Sequence, residues 1–465
     1  MTTNAYRTLF VGMLRQTTAM SVGGRDLISV TDAPLCRDGQ GRFTLRGQTL
    51  AGALIASARR LGELPLFISG DVSKDDRQTP SPSRWRSFAS HPEGSPVTEI
   101  RQHVCIDAKT GTAKENGLFN LEVIPTGTCW PFLLEVDSSG EDGKQAEAIA
   151  WRTLQRWQRG YCYMGREVAR GLGWMQLDQL QVLRLHVNQP EQVDAWPNAE
   201  RSDNYPDYVK ELVQRFGSVN KPELVLNDES AAAIWELPFT ISVGTRDNGY
   251  GLDSLSIGGH AESEVMATWQ NGHYLAPASI KPEKCAELFD PDFALVTTTL
   301  DGVRCPFIPG SALRGPLRHA LERYYRTSGQ WQDYELNLRQ FFGAVDLDSN
   351  ESCDPCSATL LVSDAHLVDD NWQAAWFQLH AEDEFTAGAY GSSKFDRLAL
   401  INAKFTGRLV LETENEKEAE NFKKLLEKLQ ELAKNGEIAL GGGQWRGHGW
   451  VSWHFEALRY TGENR

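Results

Sequence analysis

The sequence predicts an α+β protein built from two tandem copies of one fold. Three observations support this prediction: strand-like and helix-like segments alternate, the same ordered series of motifs occurs twice, and the spacing within the series is kept. Asp107 and Gly165 are 58 positions apart, and Asp383 and Gly441 are again 58 positions apart. One short motif can recur by chance, but an ordered series at constant spacing indicates an internal duplication.

The composition is that of a folded protein with two or three domains. The 465 residues are 41% hydrophobic and include 14 Trp. The first residues lack an apolar segment and no apolar run approaches the roughly 18 residues that cross a bilayer, so we predict a cytoplasmic protein without membrane contact. Eight cysteines over this length favour reduced thiols. A net charge of −15 argues against nonspecific coating of nucleic acid.

The first copy is predicted for residues 1–190. A strand at 8–14 is followed by a loop at 21–24, a helix from Gly47 to about residue 60, and a loop-rich stretch at 64–99. Segments 103–113 and 118–136 are predicted as strands and a hairpin, and 144–159 as a helix. A glycine loop at 165–174 then leads into a final strand near 179–187.

Residues 191–230, with Pro, Asp and Asn around one short helical stretch, are the predicted linker. The second copy, 231–465, repeats the strand at 235–243, the loop at 256–259, a helix at 416–435 and the glycine loop at 441–450. Gly24 and Gly47 are 23 positions apart, whereas Gly259 and Gly310 are 51 apart. We therefore predict an insertion at about 260–290.

Residues 307–318 predict an anion site at the start of a helix. Pro309 and Gly310 end an apolar run, and Ser311 can accept hydrogen bonds from free amides of the first turn. Arg314 and Arg318 would lie on neighbouring turns near the positive end of the helix dipole, where a nucleic-acid phosphate binds well. An ordinary glycine-started helix is the alternative.

Pro316 complicates this helix because it lacks an N–H. We therefore expect an irregular first turn, with the regular helix beginning near Gly315. The glycine loop at 441–449 follows a helix and precedes a strand, which is the opposite of the context that a dinucleotide-binding fingerprint requires.

Several motifs resemble the RAMP superfamily of CRISPR effector proteins, above all the type III backbone subunits. They are Gly-Ser-x-Leu-Arg-Gly from Gly310, Asp-x-Pro-x-x-Arg-Asp from Asp32, Ile-Asp-x-x-Thr-Gly-x-Ala from Ile106, Val-Ser-Asp-Ala from Val362, and a terminal Arg-Gly-x-Gly-Trp. The resemblance covers both copies, as in type III-D-like systems. It implies two tandem modified RNA-recognition-motif (ferredoxin-like) domains with thumb hairpins.

The resemblance also implies a function. Such a subunit binds guide CRISPR RNA together with other type III effector subunits in a ribonucleoprotein complex, and a catalytic Asp cleaves the target RNA with a divalent cation such as Mg²⁺. The family's catalytic Asp falls on Asp32; without the resemblance Asp32 is a turn residue before Pro34. Asp32 lies 15 positions before Gly47. The residue 15 positions before Gly310 is Leu295, so the second copy departs from the pattern. Asp292 and Asp290 are its candidate carboxylates.

The predicted RNA-binding residues come from both copies of the helix start, the catalytic loop and the glycine loop: Arg37, Arg46, Gly47, Thr49, Arg170, Gly171, Gly310, Ser311, Arg314, Arg318, Arg446 and Gly447. Cys353 and Cys356 have the spacing of half a structural Zn²⁺ site; a loop with two reduced thiols is the alternative. Asp107 and Asp383 are interpreted as hairpin-stabilising residues.

Two other function classes stay open. One is a structural guide-RNA-binding subunit without catalysis. The other is a standalone repeat-processing ribonuclease of the same superfamily, which usually depends on a His near the N-terminus; here the first His is His91.

Overall fold

The structure is a computed structural model that describes residues 6–24, 32–70, 83–106, 113–186, 188–192, 194, 205–217, 233–244, 254–258, 273–275, 291–300, 302–343, 357–382, 385–386, 388–413 and 416–460. Six residues named from the sequence lie outside these ranges: Asp107, Gly259, Asp290, Cys353, Cys356 and Asp383. Most of the predicted insertion also lies outside them.

The first half contains three helices and seven strands among the described residues. They are β1 (Tyr6–Gln16), α1 (Gly47–Arg59), α2 (Leu66–Ser69), β2 (Trp85–Ser87), β3 (Glu99–Ile106), β4 (Ala113–Val123), β5 (Cys129–Asp137), α3 (Gly140–Gln158), β6 (Cys162–Tyr163) and β7 (Trp174–His186).

The sheet of the first half has the order β2-β5-β1-β7-β6 with antiparallel neighbours. Without the edge strand β6, this is the ferredoxin-like order, in which α1 and α3 provide the two crossovers. Alternation along β1 places Phe10 and Leu14 on the face that packs against these helices, and Leu9 and Val11 on the opposite, outer face. Strands β3 and β4 form a separate hairpin, the first thumb.

A connecting helix and the second half follow. Their elements are α4 (Tyr205–Phe216), β8 (Ala233–Val243), β9 (Tyr274–Leu275), β10 (Thr297–Leu300), β11 (Val303–Pro306), α5 (Gly310–Thr327), α6 (Trp331–Phe342), β12 (Leu360–Val362), β13 (His366–Leu367), β14 (Gln373–Glu382), β15 (Ala389–Thr413), α7 (Glu416–Lys434), β16 (Ser452–Phe455) and β17 (Arg459–Tyr460).

The second half repeats the topology of the first. Its central strands have the order β12-β15-β8-β16, which matches β2-β5-β1-β7. The long β15 belongs to two structures, since its first part pairs with β14 as the second thumb and its last part pairs with β8 in the sheet. The predicted α+β class and tandem ferredoxin-like domains with thumb hairpins are confirmed.

The second-half core lies between this sheet and the helices α5, α6 and α7. Apolar side chains recur at helical spacing on α5, at Leu313, Leu317, Ala320 and Leu321, and all are buried. Helix α4 lies within the predicted linker and packs on the outer face of the first-half sheet. No helix among the described residues is long and apolar enough to cross a membrane.

Two expectations about α5 are wrong. The helix begins at Gly310 and continues through Pro316, instead of starting near Gly315. Proline costs one backbone bond, and the preceding Gly315 has no Cβ, which lessens the crowding that a residue before proline normally suffers. Ser311 does not cap this helix. The N-cap residue is Pro309, and the first helical amide, that of Gly310, donates to the Asp364 carboxylate.

Candidate nucleic-acid interface

Asp32 lies on the loop that leads from β1 toward α1, beside the first thumb. The side chain is exposed, and its Oδ2 accepts a hydrogen bond from the backbone N–H of Asn120 at 2.8 Å. The neighbouring Ala33 forms a parallel bridge with Leu121 of the thumb. One carboxylate oxygen is thus held by the thumb, and the other has no partner among the described residues.

Asp292 occupies the equivalent place in the second half. It is exposed, its Oδ2 accepts the backbone N–H of Asp396 at 2.8 Å, and the following Phe293 forms a parallel bridge with Arg397. The loop before it also matches, because Val296 donates to Ile257 as Cys36 donates to Val22. Both halves therefore present one carboxylate at the same junction of loop and thumb.

Leu295, which the count from Gly310 selects, is a buried core residue with 8% exposure. The hairpin β10–β11 lengthens the connection to α5 and shifts the count by three positions, so that Asp292, not Leu295, stands where Asp32 stands. Of the two candidate carboxylates of the second half, Asp292 is the one that the described residues place at this junction.

The two carboxylates differ in their neighbours. Asn120 beside Asp32 is neutral, whereas Asp396 beside Asp292 is acidic. Burial and the Asp292 carboxylate raise the pKa of Asp396, against a hydrogen bond from the Trp376 indole. A bound cation would offset the repulsion between these two carboxylates.

Arg37 supports the Asp32 loop from within. Its Nη2 donates to Glu122 Oε1 at 3.2 Å, its guanidinium lies 4.0 Å from the Phe43 ring centroid, and Glu122 Oε2 accepts the backbone N–H of Leu35. A predicted RNA contact of Arg37 would compete with this ion pair.

The start of α1 is open. Arg46 is the exposed N-cap, its carbonyl accepts the N–H of Thr49, and no side chain caps the helix. Gly47 is required there by packing, since a Cβ would lie 2.6 Å from the Ser87 carbonyl oxygen. The free amides and Arg46 leave this helix start available to an anion.

Three arginines that the sequence placed in separate motifs come together at the junction of the two halves. Arg170, on the first glycine loop, and Arg318 of α5 both lie close enough to Arg314 to act on its guanidinium. Burial first, and then these two cations, lower the pKa of Arg314 to about 10. Each of the three has a protein acceptor: Arg170 binds Glu167, Arg318 binds Glu322, and Arg314 binds the Phe342 carbonyl. Like charges held this close favour an added phosphate.

Asp364 caps α5 from the turn after β12. Its Oδ1 accepts the N–H of Gly310 at 2.8 Å, and its Oδ2 accepts Nη1 of Arg101, from the first thumb, at 3.1 Å. Gly171 packs on the same carboxylate. The Gly310 amide is therefore bound by Asp364, and Gly171 packs against the same carboxylate across the junction, which limits the predicted contact of both glycines with RNA.

The second glycine loop is open. Arg446 and Gly447 are exposed, and no atom lies within 4 Å of the position where a Cβ on Gly447 would be. The Arg446 guanidinium lies 5.0 Å from the Phe395 ring centroid of the second thumb. Beneath the loop, buried Arg397 donates to Ser256, and its Nε has no partner among the described residues.

His448 lies beneath the same loop. Its Nδ1 is 2.5 Å from the Ser254 hydroxyl oxygen, and burial, then Arg397 and Arg446, lowers its pKa. The equivalent residues of the first half are Ala19 and Leu172, which are buried among apolar side chains. The buried residues beneath the second glycine loop are thus polar, whereas those beneath the first are apolar.

Sequence reasoning missed the partners of these residues. Arg101, Asp396 and Arg397 lie on thumb strands with no distinctive motif, and only the structure assigns them to a site. Asp364 did carry a signal, because it is the acidic residue of the Val-Ser-Asp-Ala motif.

A divalent cation fits the donor chemistry beside the second thumb. Asp292 and Asp396 supply hard carboxylate oxygens, and Mg²⁺ is commonly held by one or two carboxylates together with water and substrate phosphate. Within the described ranges no three His, Cys, Asp or Glu residues lie close enough together to hold a metal ion by themselves.

The comparisons with known proteins agree with the duplicated fold. A family model of the RAMP superfamily matches residues 17–176 and residues 257–452. A search of the curated proteins finds no match to the chain. The family indicates a CRISPR-associated, RNA-binding function. Because the two matched regions together span well over half of the sequence, one in each half, this chain belongs to the RAMP superfamily.

Proposed function

We propose that the protein is a backbone subunit of a type III CRISPR effector complex that binds guide RNA and cleaves complementary target RNA at two positions, at Asp32 and at Asp292. The observation that carries this proposal is the matched placement of the two carboxylates, each exposed and each held through Oδ2 by a thumb backbone N–H at 2.8 Å.

The chemistry uses the nucleophile that RNA carries. The 2′-oxygen attacks the adjacent phosphorus in line, its proton passes to a carboxylate oxygen, and the bond from phosphorus to the 5′-oxygen breaks. The products are a 2′,3′-cyclic phosphate and a 5′-hydroxyl, whose proton comes from water. The oxygen that the thumb does not hold is the one available as the base. A divalent cation, when bound, would neutralise charge on the phosphate.

Guide RNA would follow the cationic groups that run along both halves. They are the α1 start at Arg46, the junction arginines Arg170, Arg314 and Arg318, and the second loop with Arg446. These groups contact phosphates without reading bases, which suits a protein that binds any guide sequence. The net charge of −15 keeps such binding local to these groups.

The test is cleavage of end-labelled target RNA by the reconstituted complex with Mg²⁺. Asp32→Ala should remove one cleavage product and Asp292→Ala another, each with a loss of about 10²-fold or more in rate, while binding of target RNA is kept. Asp369→Ala is the matched control, because Asp369 is also an exposed Asp that accepts a backbone N–H.

An unchanged product ladder in the Asp32→Ala, Asp292→Ala double variant would leave a structural guide-binding subunit as the function. Loss of only one product would restrict catalysis to one half. Cleavage of free repeat RNA by the isolated chain would instead favour the standalone ribonuclease.

A further inference from the structure

The two halves are joined by a loop-on-sheet contact. Val168 and Ala169 of the first glycine loop pack with Leu361 and Val410, which lie on the outer face of the second-half sheet, the face away from its helices. Next to them, the Tyr161 hydroxyl donates to Glu236 at 2.9 Å, and Arg408 donates to the Gly160 carbonyl. The first half thus provides a loop, and the second half provides an outer sheet face.

The second half has the same loop, but none of the described residues covers it. Trp445, the equivalent of Ala169, is 100% exposed, and its neighbours Gln444, Arg446 and Gly447 are exposed as well. Trp450 is only partly buried, whereas the equivalent Trp174 is 1% exposed in the joined loop. A fully exposed tryptophan beside an arginine is the composition of a binding hot spot.

The first half has the same outer sheet face, but that face is closed. Helix α4 packs Val209 and Leu212 onto Leu9 and Leu133. It covers the part of the outer sheet face that, in the second half, is covered by the first half. The chain therefore uses its own connecting helix where a neighbouring loop would otherwise dock.

The charges on the first-half face also differ from those of the second-half face. The positions equivalent to Leu361 and Val410 are Arg86 and Glu135, which form an ion pair at 3.9 Å. Burying Trp445 against this ion pair would remove water from two charged side chains, and no apolar surface there would compensate for that cost. A second copy of this chain is therefore a poor partner for the second loop.

We propose that the second glycine loop docks on the outer sheet face of a RAMP-type domain from a different protein. That face carries apolar side chains where this chain has Leu361 and Val410. The chain consequently has one such neighbour, at its second-half end, and does not stack on copies of itself. This proposal rests on the family and on the contact between the halves, and it is independent of RNA cleavage.

A photo-crosslinking experiment tests the proposal on the full chain. A benzophenone amino acid replaces Trp445, and the purified chain is mixed with each purified RAMP-superfamily protein from the same genome, with and without guide RNA. The expected result is a nuclease-resistant crosslink that maps to an outer-face strand of one of these proteins. The same amino acid at Leu336, another exposed apolar position, should give no such product.

Two further measurements test the proposal quantitatively: the affinity for the partner protein and the self-association of this chain. Trp445→Ala should weaken binding of that partner by about 30-fold or more, Leu336→Ala should not, and retention of guide RNA should be kept in both. Sedimentation velocity should find the free chain monomeric at micromolar concentration. A crosslink to RNA, a crosslink between copies of this chain, or unchanged partner affinity in Trp445→Ala would each overturn the proposal.

Discussion

Gly171 and Asp364 lie in direct contact across the junction of the two halves, so closely that a Cβ on Gly171 would approach the Asp364 carboxylate Oδ1 to 2.5 Å. The same glycine has a φ of +95°, a left-handed conformation that other residues rarely adopt. The carboxylate is at the same time the cap of α5 and the partner of Arg101. A single residue pair therefore connects the first glycine loop, the first thumb and the arginine helix.

Gly171→Ala should lower the free energy of unfolding by more than the about 1–2 kcal/mol that a left-handed alanine costs by itself, because it adds a clash with a buried carboxylate. Gly447→Ala is the matched control: its φ is +88°, but apart from its chain neighbours none of the described residues lies within 4 Å of the added Cβ. Urea unfolding of both variants measures the difference. An equal decrease in the free energy of unfolding in both variants would mean that the junction accommodates the added Cβ without a clash.

Asp364→Ala should destabilise the protein by about 3–5 kcal/mol, because it leaves the buried Arg101 guanidinium without its carboxylate and removes the cap of α5. Asp364→Asn keeps an acceptor for the Gly310 amide and should cost less. Thermal unfolding and urea unfolding together check the order of the two variants. A loss below about 1 kcal/mol in Asp364→Ala would contradict this account.

Arg314→Ala and Arg318→Ala should each weaken guide-RNA binding and reduce the slope of log affinity against log salt by about one unit, since each removes one phosphate contact. Arg323→Ala, on the same helix and bound to the Glu437 carbonyl, is the control and should leave the slope unchanged. Affinity is measured at several salt concentrations with two guide sequences. If the slope of log affinity against log salt were the same in all variants, guide RNA would not contact Arg314 or Arg318.

Stability should fall in mild acid because of His448. Burial, Arg397 and Arg446 hold its pKa below the usual value, so the unfolded chain binds the proton more readily than the folded protein. Stability is therefore lost as the pH falls through the unfolded pKa of about 6.5. The double variant Ser254→Ala, His448→Leu, which copies the apolar pair of the first half, should reduce this loss. Melting temperatures between pH 5 and pH 8 compare the two proteins, and parallel curves would contradict the expectation.

Much of the fold was predictable because it depends on local signals. Glycine turns, alternating strands and helical spacing of apolar residues recur in both halves, so the duplication identified most of the elements and paired the two glycine loops correctly. Element bounds agree well where the pattern is strong, as in α7, which was expected at 416–435 and spans Glu416–Lys434.

The candidate site was less predictable because it depends on insertions and on contacts distant in sequence. A count along the chain selected Leu295, since the hairpin β10–β11 changes chain length without moving the loop that carries Asp292. Ser311 was expected to cap α5, yet Asp364, 54 positions from Gly310, supplies the carboxylate. Neither relation leaves a periodic trace in the sequence.

Turn residues and apolar periodicity along the chain were enough to establish two related α+β domains with arginines and glycines at matched turns, because backbone conformation and apolar periodicity are local properties. Which of these groups meet became clear from the folded arrangement alone. It brings Arg170 to Arg314, closes one outer sheet face with α4, leaves Trp445 open, and gives Asp292 the position of Asp32. These outcomes depend on packing between segments that are far apart in the chain, where burial and charge, not local propensity, select the arrangement.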